Sequence, residues 1–455
     1  MNAQQFLPRE RPLNAWTPSL WQEAPANQAI HYEDPEALQR VLDELSSLPP
    51  LVAPHEVAAL RADLSAAQEG ECFILQAGDC AERFADCNHP TITRRLHTLM
   101  QMQYILAHGL RQPVVCIGRV AGQYAKPRSD PVETRDGVVL PAFRGDIIND
   151  PEFSAAARRH DPSRLLTAYT RSAFTLNLMR TLLDAGFPEL DKLHSWNLRW
   201  LDRADDTYEY RKILSAISDS IRFTSALAGS ISSRHMRCYT SHEALHLHYE
   251  QAQTQAISEN KWMNLSTHFP WLGLRTAIPG GAHMQYLRGI ENPIAVKIGP
   301  STSVSQLIET IDILNPENSP GKLSLITRMG ADHIENSLPP LIRAVQRERR
   351  RILWLVDPMH GNTEITASGL KTRNFDRICS EIKLAIKIHQ AAGTRLGGIH
   401  LEMSGDDVTE CIGGISEVCE NDLTLRYRTS MDPRLNAEQS IEIALFIVGK
   451  MRSQH

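Results

Sequence analysis

The chain has 455 residues and a formal charge of −5, with 42% hydrophobic and 22% charged side chains, which allows one large domain or two to three ordinary ones and fits a soluble globular protein with ample core. The weak negative charge lacks the dominant basic footprint of a nucleic-acid binder, and no apolar run approaches the roughly 18 residues of a membrane span. The N-terminus lacks a basic-then-apolar leader pattern, so a cytoplasmic protein with no nucleic-acid or membrane partner is expected.

In chain order, residues 1–70 read as a polar, proline-bearing N-terminal extension, helical around Pro35–Leu48 and Pro54–Gln68. Short β-type apolar runs follow at Cys72–Gln76, Val114–Gly118, Met236–Tyr239, Asn264–Phe269, Ile294–Ile298, Leu323–Ile326, Ile352–Val356 and Gly398–Leu401. Continuous apolar runs of this length suit strands buried on both faces. From the third onward they recur about every 28–45 residues, the length of a βα unit with its crossover helix. Eight such units predict a (β/α)8 TIM barrel. The interval between the second and third runs is too long for one crossover. Helices predicted over Asp161–Ala185 and Ala204–Ala228 make it a helical insertion at about 160–232 on a single catalytic domain spanning 1–455. The eight cysteines are scattered with no C-x-x-C pair, which argues against a zinc ribbon or a disulfide-stapled fold and for buried packing thiols.

Each run ends in chemistry. The tips are Ala77–Glu82, Arg119 with Ala125–Ser129, Trp271–Thr276, Lys297–Pro300, Thr327–Gly330, Asp357–Asn362 and His400–Gly405. In a barrel these converge at the C-terminal face, where such enzymes work. One set is cationic: Arg119, Lys126, Arg128, Arg275, Lys297 and Arg328. Around one mouth these repel each other unless anions lie between them, and six suit two phosphorylated substrates better than a single phosphate. Lys297 sits inside an apolar strand, where an unpaired ammonium is too costly to be incidental. The other set is metal-capable: Cys80, His360, Glu402 and Asp432. One thiolate, one imidazole and two carboxylates suit a borderline divalent ion, Mn2+ first, with Co2+, Fe2+ or Zn2+ as alternatives. His242-Glu243-Ala244-Leu245-His246 matches the H-E-x-x-H pattern of zinc proteases, but no third ligand follows.

The tips carry QAGDCAE, GRVAGQYAKPRSD, FRGDIIND, TSHEAL, KIGPS, TRMG, DPMHGNT, GGIHLE, DDVTECIGG and DPRLN in order from about Gln76 to Asn436. On these motifs the chain resembles the type II 3-deoxy-D-arabino-heptulosonate 7-phosphate (DAHP) synthases. The resemblance implies condensation of phosphoenolpyruvate with erythrose 4-phosphate, releasing phosphate, at the head of the shikimate pathway. It implies Cys80, His360, Glu402 and Asp432 as metal ligands, and Arg119, Lys297 and Arg328 as phosphoenolpyruvate-binding cations. Lys126, Arg128 and Ser129 correspond to the aldose-phosphate site. Arg275 is shared between the substrates, and Gly273 and Leu274 contribute to binding through the backbone. Lys126, Arg275, Lys297 and His360 are the residues expected to act in catalysis. Homodimers or homotetramers and feedback by aromatic amino acids are further expectations from the family's extra elements. Two departures stand out. Leu274 occupies a position usually acidic, and Met431 replaces a cysteine before Asp432. They leave room for a different acceptor, such as an amino aldose phosphate, while a non-catalytic regulatory homologue is disfavoured by the intact ligand and cation sets.

Overall fold

The computed structural model describes residues 16–185, 208–228 and 237–452. Eight parallel strands close a barrel: β1 Phe73–Gly78, β2 Val114–Arg119, β3 Cys238–Glu243, β4 Phe269–Leu272, β5 Ile294–Ile298, β6 Leu323–Thr327, β7 Leu353–Val356 and β8 Gly398–Glu402. Each pairs with its sequence neighbours, and β8 closes onto β1. The predicted (β/α)8 barrel is therefore the observed fold. Nearly every strand residue is buried, because one face fills the barrel and the other meets the helical layer. Helix Pro54–Glu69 plugs the N-terminal mouth. Its Leu60, Leu64 and Ala67 pack with the barrel-lining Ile74, Ile117, Phe269, Ile326 and Leu355.

The register places the chemistry. Gly78 pairs with Arg119 of β2 on one side and Glu402 of β8 on the other, so three neighbouring strands deliver Cys80, Arg119 and Glu402 to one point of the rim. Gly78 has φ +152°, and a Cβ there would lie 2.6 Å from the Arg119 carbonyl oxygen. Only glycine lets the two backbones approach so closely.

Two strands differ from the sequence expectation. β3 begins at Cys238 and continues through Thr240-Ser241-His242-Glu243, a polar stretch buried in the upper barrel, while Met236 lies outside the described residues. β4 is Phe269–Leu272, not Asn264–Phe269. Asn264 ends a hairpin, Thr254–Ser258 with Lys261–Asn264, and the following polar residues serve as buried hydrogen-bonding groups. The His268 ring accepts the Thr240 N–H at 2.9 Å, and the Ser266 hydroxyl donates to Glu250 at 2.8 Å. Between β2 and β3 run helices Ser163–Ala185 and Tyr208–Ala228, where the sequence pattern put them. Residues 204–207 and the expected boundary at 232 lie outside the described residues. The H-E-x-x-H pattern does not lie on one helix: His242 and Glu243 end β3 while His246 caps the helix Leu247–Ala252, so the two imidazoles do not share a helix face.

Candidate active site and metal centre

At the C-terminal face of the barrel lies a cavity of about 550 Å3, within the ordinary range for small-molecule sites. Its walls include Lys126, Arg128, Ser129, Gly273, Leu274, Arg275, Lys297, Arg328, His360 and Asp432. Of the site residues expected from sequence, only Cys80, Arg119 and Glu402 lie off its surface, and these sit directly beneath it, fully buried.

Beneath the cavity, ligand atoms of Cys80, Glu402 and Asp432 all lie within 4.8 Å of one another. The Lys126 ammonium touches all three: Cys80 Sγ at 2.6 Å, Glu402 Oε1 at 3.3 Å and Asp432 Oδ2 at 2.5 Å. One sulfur and two carboxylates already gathered around a positive charge fit a divalent cation of borderline softness. His360 is outside the three-residue group but adjoins it, with Nε2 3.0 Å from Glu402 Oε1. Its Nδ1 lies 2.7 Å from Asp357 Oδ2, so Asp357 turns the ring toward the donors, as carboxylates behind metal-binding histidines do.

Buried charge partners set the protonation of this floor. Burial alone would raise the Glu402 carboxyl, but His360, Lys126, Arg373 and Arg119 together hold it well below its usual range. Burial, and then the Glu402 carboxylate, push the Cys80 thiol up to about 12 against the pull of Lys126.

The loops that carry the donors are locked by buried ions. Arg434 bonds Asp79 at 3.0 Å and Glu410 at 2.8 Å, while Arg95 bonds Asp79 at 2.6 Å and Glu82 at 3.0 Å. This network ties the loop of Cys80 to the loop of Asp432. The Leu435 N–H donates to the Glu402 carbonyl at 3.0 Å, fixing Asp432 to the end of β8.

The cations form two groups. Lys297 bonds Asp357 at 2.8 Å and stands 3.4 Å from His360 Nδ1, and Arg328 donates to the His360 carbonyl at 2.8 Å. Burial lowers the Lys297 pKa to about 8 despite Asp357. Exposed Arg275, which follows the strand next to that of Lys297, donates to the Ser129 hydroxyl at 2.8 Å, and Arg128 pairs with Glu133 at 3.4 Å. Arg119 lies below the floor. It donates to the Asp79 and Cys80 carbonyls, contacts His400 Nε2, and bonds Glu402 at 2.9 Å.

Sequence reasoning missed several groups. Glu243, dismissed with the zinc-protease pattern, lines the cavity, and its Oε1 is buried without a partner among the described residues. Burial raises its pKa, opposed by Lys297, Lys126, Arg119 and Arg275. Gly273 makes room for it, since a Cβ there would come 2.1 Å from that oxygen. Lys371 bonds Asp432 Oδ1 at 2.8 Å, and Arg373 bonds Glu402 Oε2 at 2.7 Å. Both come from a hairpin, Thr363–Ile365 with Lys371–Arg373, whose short polar strands give no periodic signal. Asp357 had a signal: an acid at the end of an apolar strand, next to His360.

Comparison with known proteins supplies the kinship. A family model described as the class-II DAHP synthetase family matches residues 16–448. A phospho-2-dehydro-3-deoxyheptonate aldolase of Streptomyces coelicolor is 43% identical over 438 residues, covering 96% of this chain and 97% of its own. Proteins of the same name from Neurospora crassa and Mycolicibacterium smegmatis are each 40% identical, covering 96% and 92% of this chain and 95% and 91% of their own.

Proposed function

Because the chain belongs to the class-II DAHP synthetase family, we propose that it joins phosphoenolpyruvate to erythrose 4-phosphate, forming DAHP and inorganic phosphate. The observation that carries this reading is one cavity lined by cations above a sulfur–carboxylate donor cluster.

Lys297 and Arg328, on the ends of β5 and β6, bind the anionic groups of phosphoenolpyruvate. Lys126, Arg128 and Ser129, with Arg275 already on the Ser129 hydroxyl, hold the phosphate of the aldose. Arg119 supports Glu402 from below and adds positive potential to the floor. Cys80, His360, Glu402 and Asp432 hold a divalent ion, with Mn2+ the leading candidate. When bound, that ion supplies Lewis-acid polarisation of the acceptor's aldehyde oxygen. C3 of phosphoenolpyruvate forms the new bond to the aldehyde carbon as its C2–C3 double bond opens, the aldehyde oxygen takes a proton to become a hydroxyl, water adds at C2, and the C2–O bond to phosphate breaks as the ketone forms. Glu243 faces this region with an unpartnered oxygen and takes the proton of the added water. The cations offset repulsion between two anionic substrates and hold them within reacting distance.

Leu274 puts an apolar side chain on the cavity wall beside Arg275, which favours testing a second acceptor. Phosphate release from phosphoenolpyruvate is measured with erythrose 4-phosphate and, separately, with an amino aldose phosphate, each with and without EDTA. Release with erythrose 4-phosphate, lost in EDTA and restored by Mn2+, is expected. Release with the amino sugar alone would replace the acceptor, and no release with either would overturn the proposal.

A further inference from the structure

The metal-site thiol has no sulfhydryl partner in reach: Cys80 packs with Ala81, Phe143 and Met431. Two other cysteines do meet. Cys116 of β2 and Cys238 at the start of β3 are direct partners in the parallel register, and their sulfurs lie 3.3 Å apart. Paired strands run about 4.8 Å apart, inside the roughly 4.4–6.8 Å Cα separation that a disulfide spans. A bond requires the sulfurs to close from 3.3 Å to about 2.0 Å.

The two thiols differ in access. Cys116 is 0% exposed, among Phe73, Leu75 and Leu106 in the layer between barrel and helices. Its pKa is held well above the usual value by its hydrogen bond with Cys238 and by burial. Cys238 is half-buried and opens onto a second cavity of about 310 Å3, lined by Arg180, Arg237 and His268 together with Glu56 and Asp184. Cys238 therefore has an exposure to that cavity which Cys116 lacks.

We propose that Cys116 and Cys238 form a reversible dithiol–disulfide couple, with Cys238 the thiol attacked first and Cys116 the one that resolves. With hydrogen peroxide, the Cys238 sulfur attacks one oxygen, the O–O bond breaks, the departing hydroxide leaves as water with the Cys238 proton, and Cys238 becomes a sulfenic acid. Cys116 then attacks that sulfur, the hydroxyl leaves as water with the Cys116 proton, and the disulfide forms. Two thiols and one peroxide give one disulfide and two waters. The bond joins the middle of β2 to the start of β3, further down the barrel than Arg119 and Glu243, and links the two sides of the stretch that carries the helices between these strands.

The test is non-reducing peptide mapping of the full native chain after peroxide treatment. A Cys116–Cys238 linked peptide should accumulate without denaturant and disappear with dithiothreitol. In Cys116→Ser, dimedone should label Cys238; in Cys238→Ser, Cys116 should stay unlabelled. The proposal is overturned if the native pair stays reduced while exposed Cys419 is oxidised, or if the link forms only in urea. Mapping of the unmodified protein decides this even if a variant fails to fold.

Discussion

Glu243 keeps a carboxyl oxygen that is buried and, among the described residues, unpartnered amid Lys297, Lys126, Arg119 and Arg275. An unsatisfied buried polar atom costs stability on the order of 1–3 kcal/mol, so its place on the cavity wall calls for a functional reason. Glu243→Gln removes the base while preserving shape, and is expected to lower kcat by about a hundredfold or more with little change in the KM for phosphoenolpyruvate. Gly273→Ala should have a similar effect by pushing the carboxylate aside. Steady-state kinetics on both proteins checks this, and near-normal kcat in Glu243→Gln would remove Glu243 from the chemistry. At this scale the sequence was informative where a charged side chain interrupted or followed an apolar run, as with Lys297 and Glu402. It misled at Glu243, because a five-residue pattern suggested a helix where the chain is a strand. It was silent for Lys371 and Arg373, whose place beside Asp432 and Glu402 depends on long-range packing.

Among the elements, the C-terminal helix Ala437–Arg452 carries a titration that the site does not use. Glu442 accepts the Ile415 N–H at 2.8 Å, and burial, with Asp376 and Glu438 nearby, raises its pKa to about 7. A carboxyl with a raised folded pKa retains a proton that the unfolded chain has released. Stability is therefore full below the unfolded value and falls as pH rises through about 7, by at most about 3 kcal/mol. Glu442→Gln keeps an acceptor for Ile415 and cannot ionise. Its urea midpoint should fall less than that of the unaltered protein between pH 5 and pH 8, and identical slopes would contradict the assignment. Strands were legible in sequence where both faces are apolar, as in β5 to β8. They were misplaced at β3 and β4, where the upper barrel is filled with hydrogen-bonded polar residues that read as loop by hydropathy. The hairpins Val132–Arg135 with Val138–Pro141, Thr254–Ser258 with Lys261–Asn264 and Thr363–Ile365 with Lys371–Arg373 were not anticipated, because their strands are short and partly exposed.

Across the whole molecule, parallel closure turns eight separated strand ends into one rim, which is why residues as distant as Cys80 and Asp432 share a cluster. The βα rhythm made that closure legible, and the convergence of the metal-capable and cationic sets followed from it. Sequence could not reveal the buried ion network of Arg95, Asp79, Glu410 and Arg434, which fixes the loops of Cys80 and Asp432 to each other. The most direct test of the account is anomalous diffraction from crystals of the protein grown with Mn2+ and phosphoenolpyruvate. A single strong peak is predicted within bonding distance of Cys80, His360, Glu402 and Asp432, with Lys126 moved off those donors and phosphoenolpyruvate held by Lys297 and Arg328. A peak elsewhere, or none with Lys126 still in contact with the three donors, would contradict it.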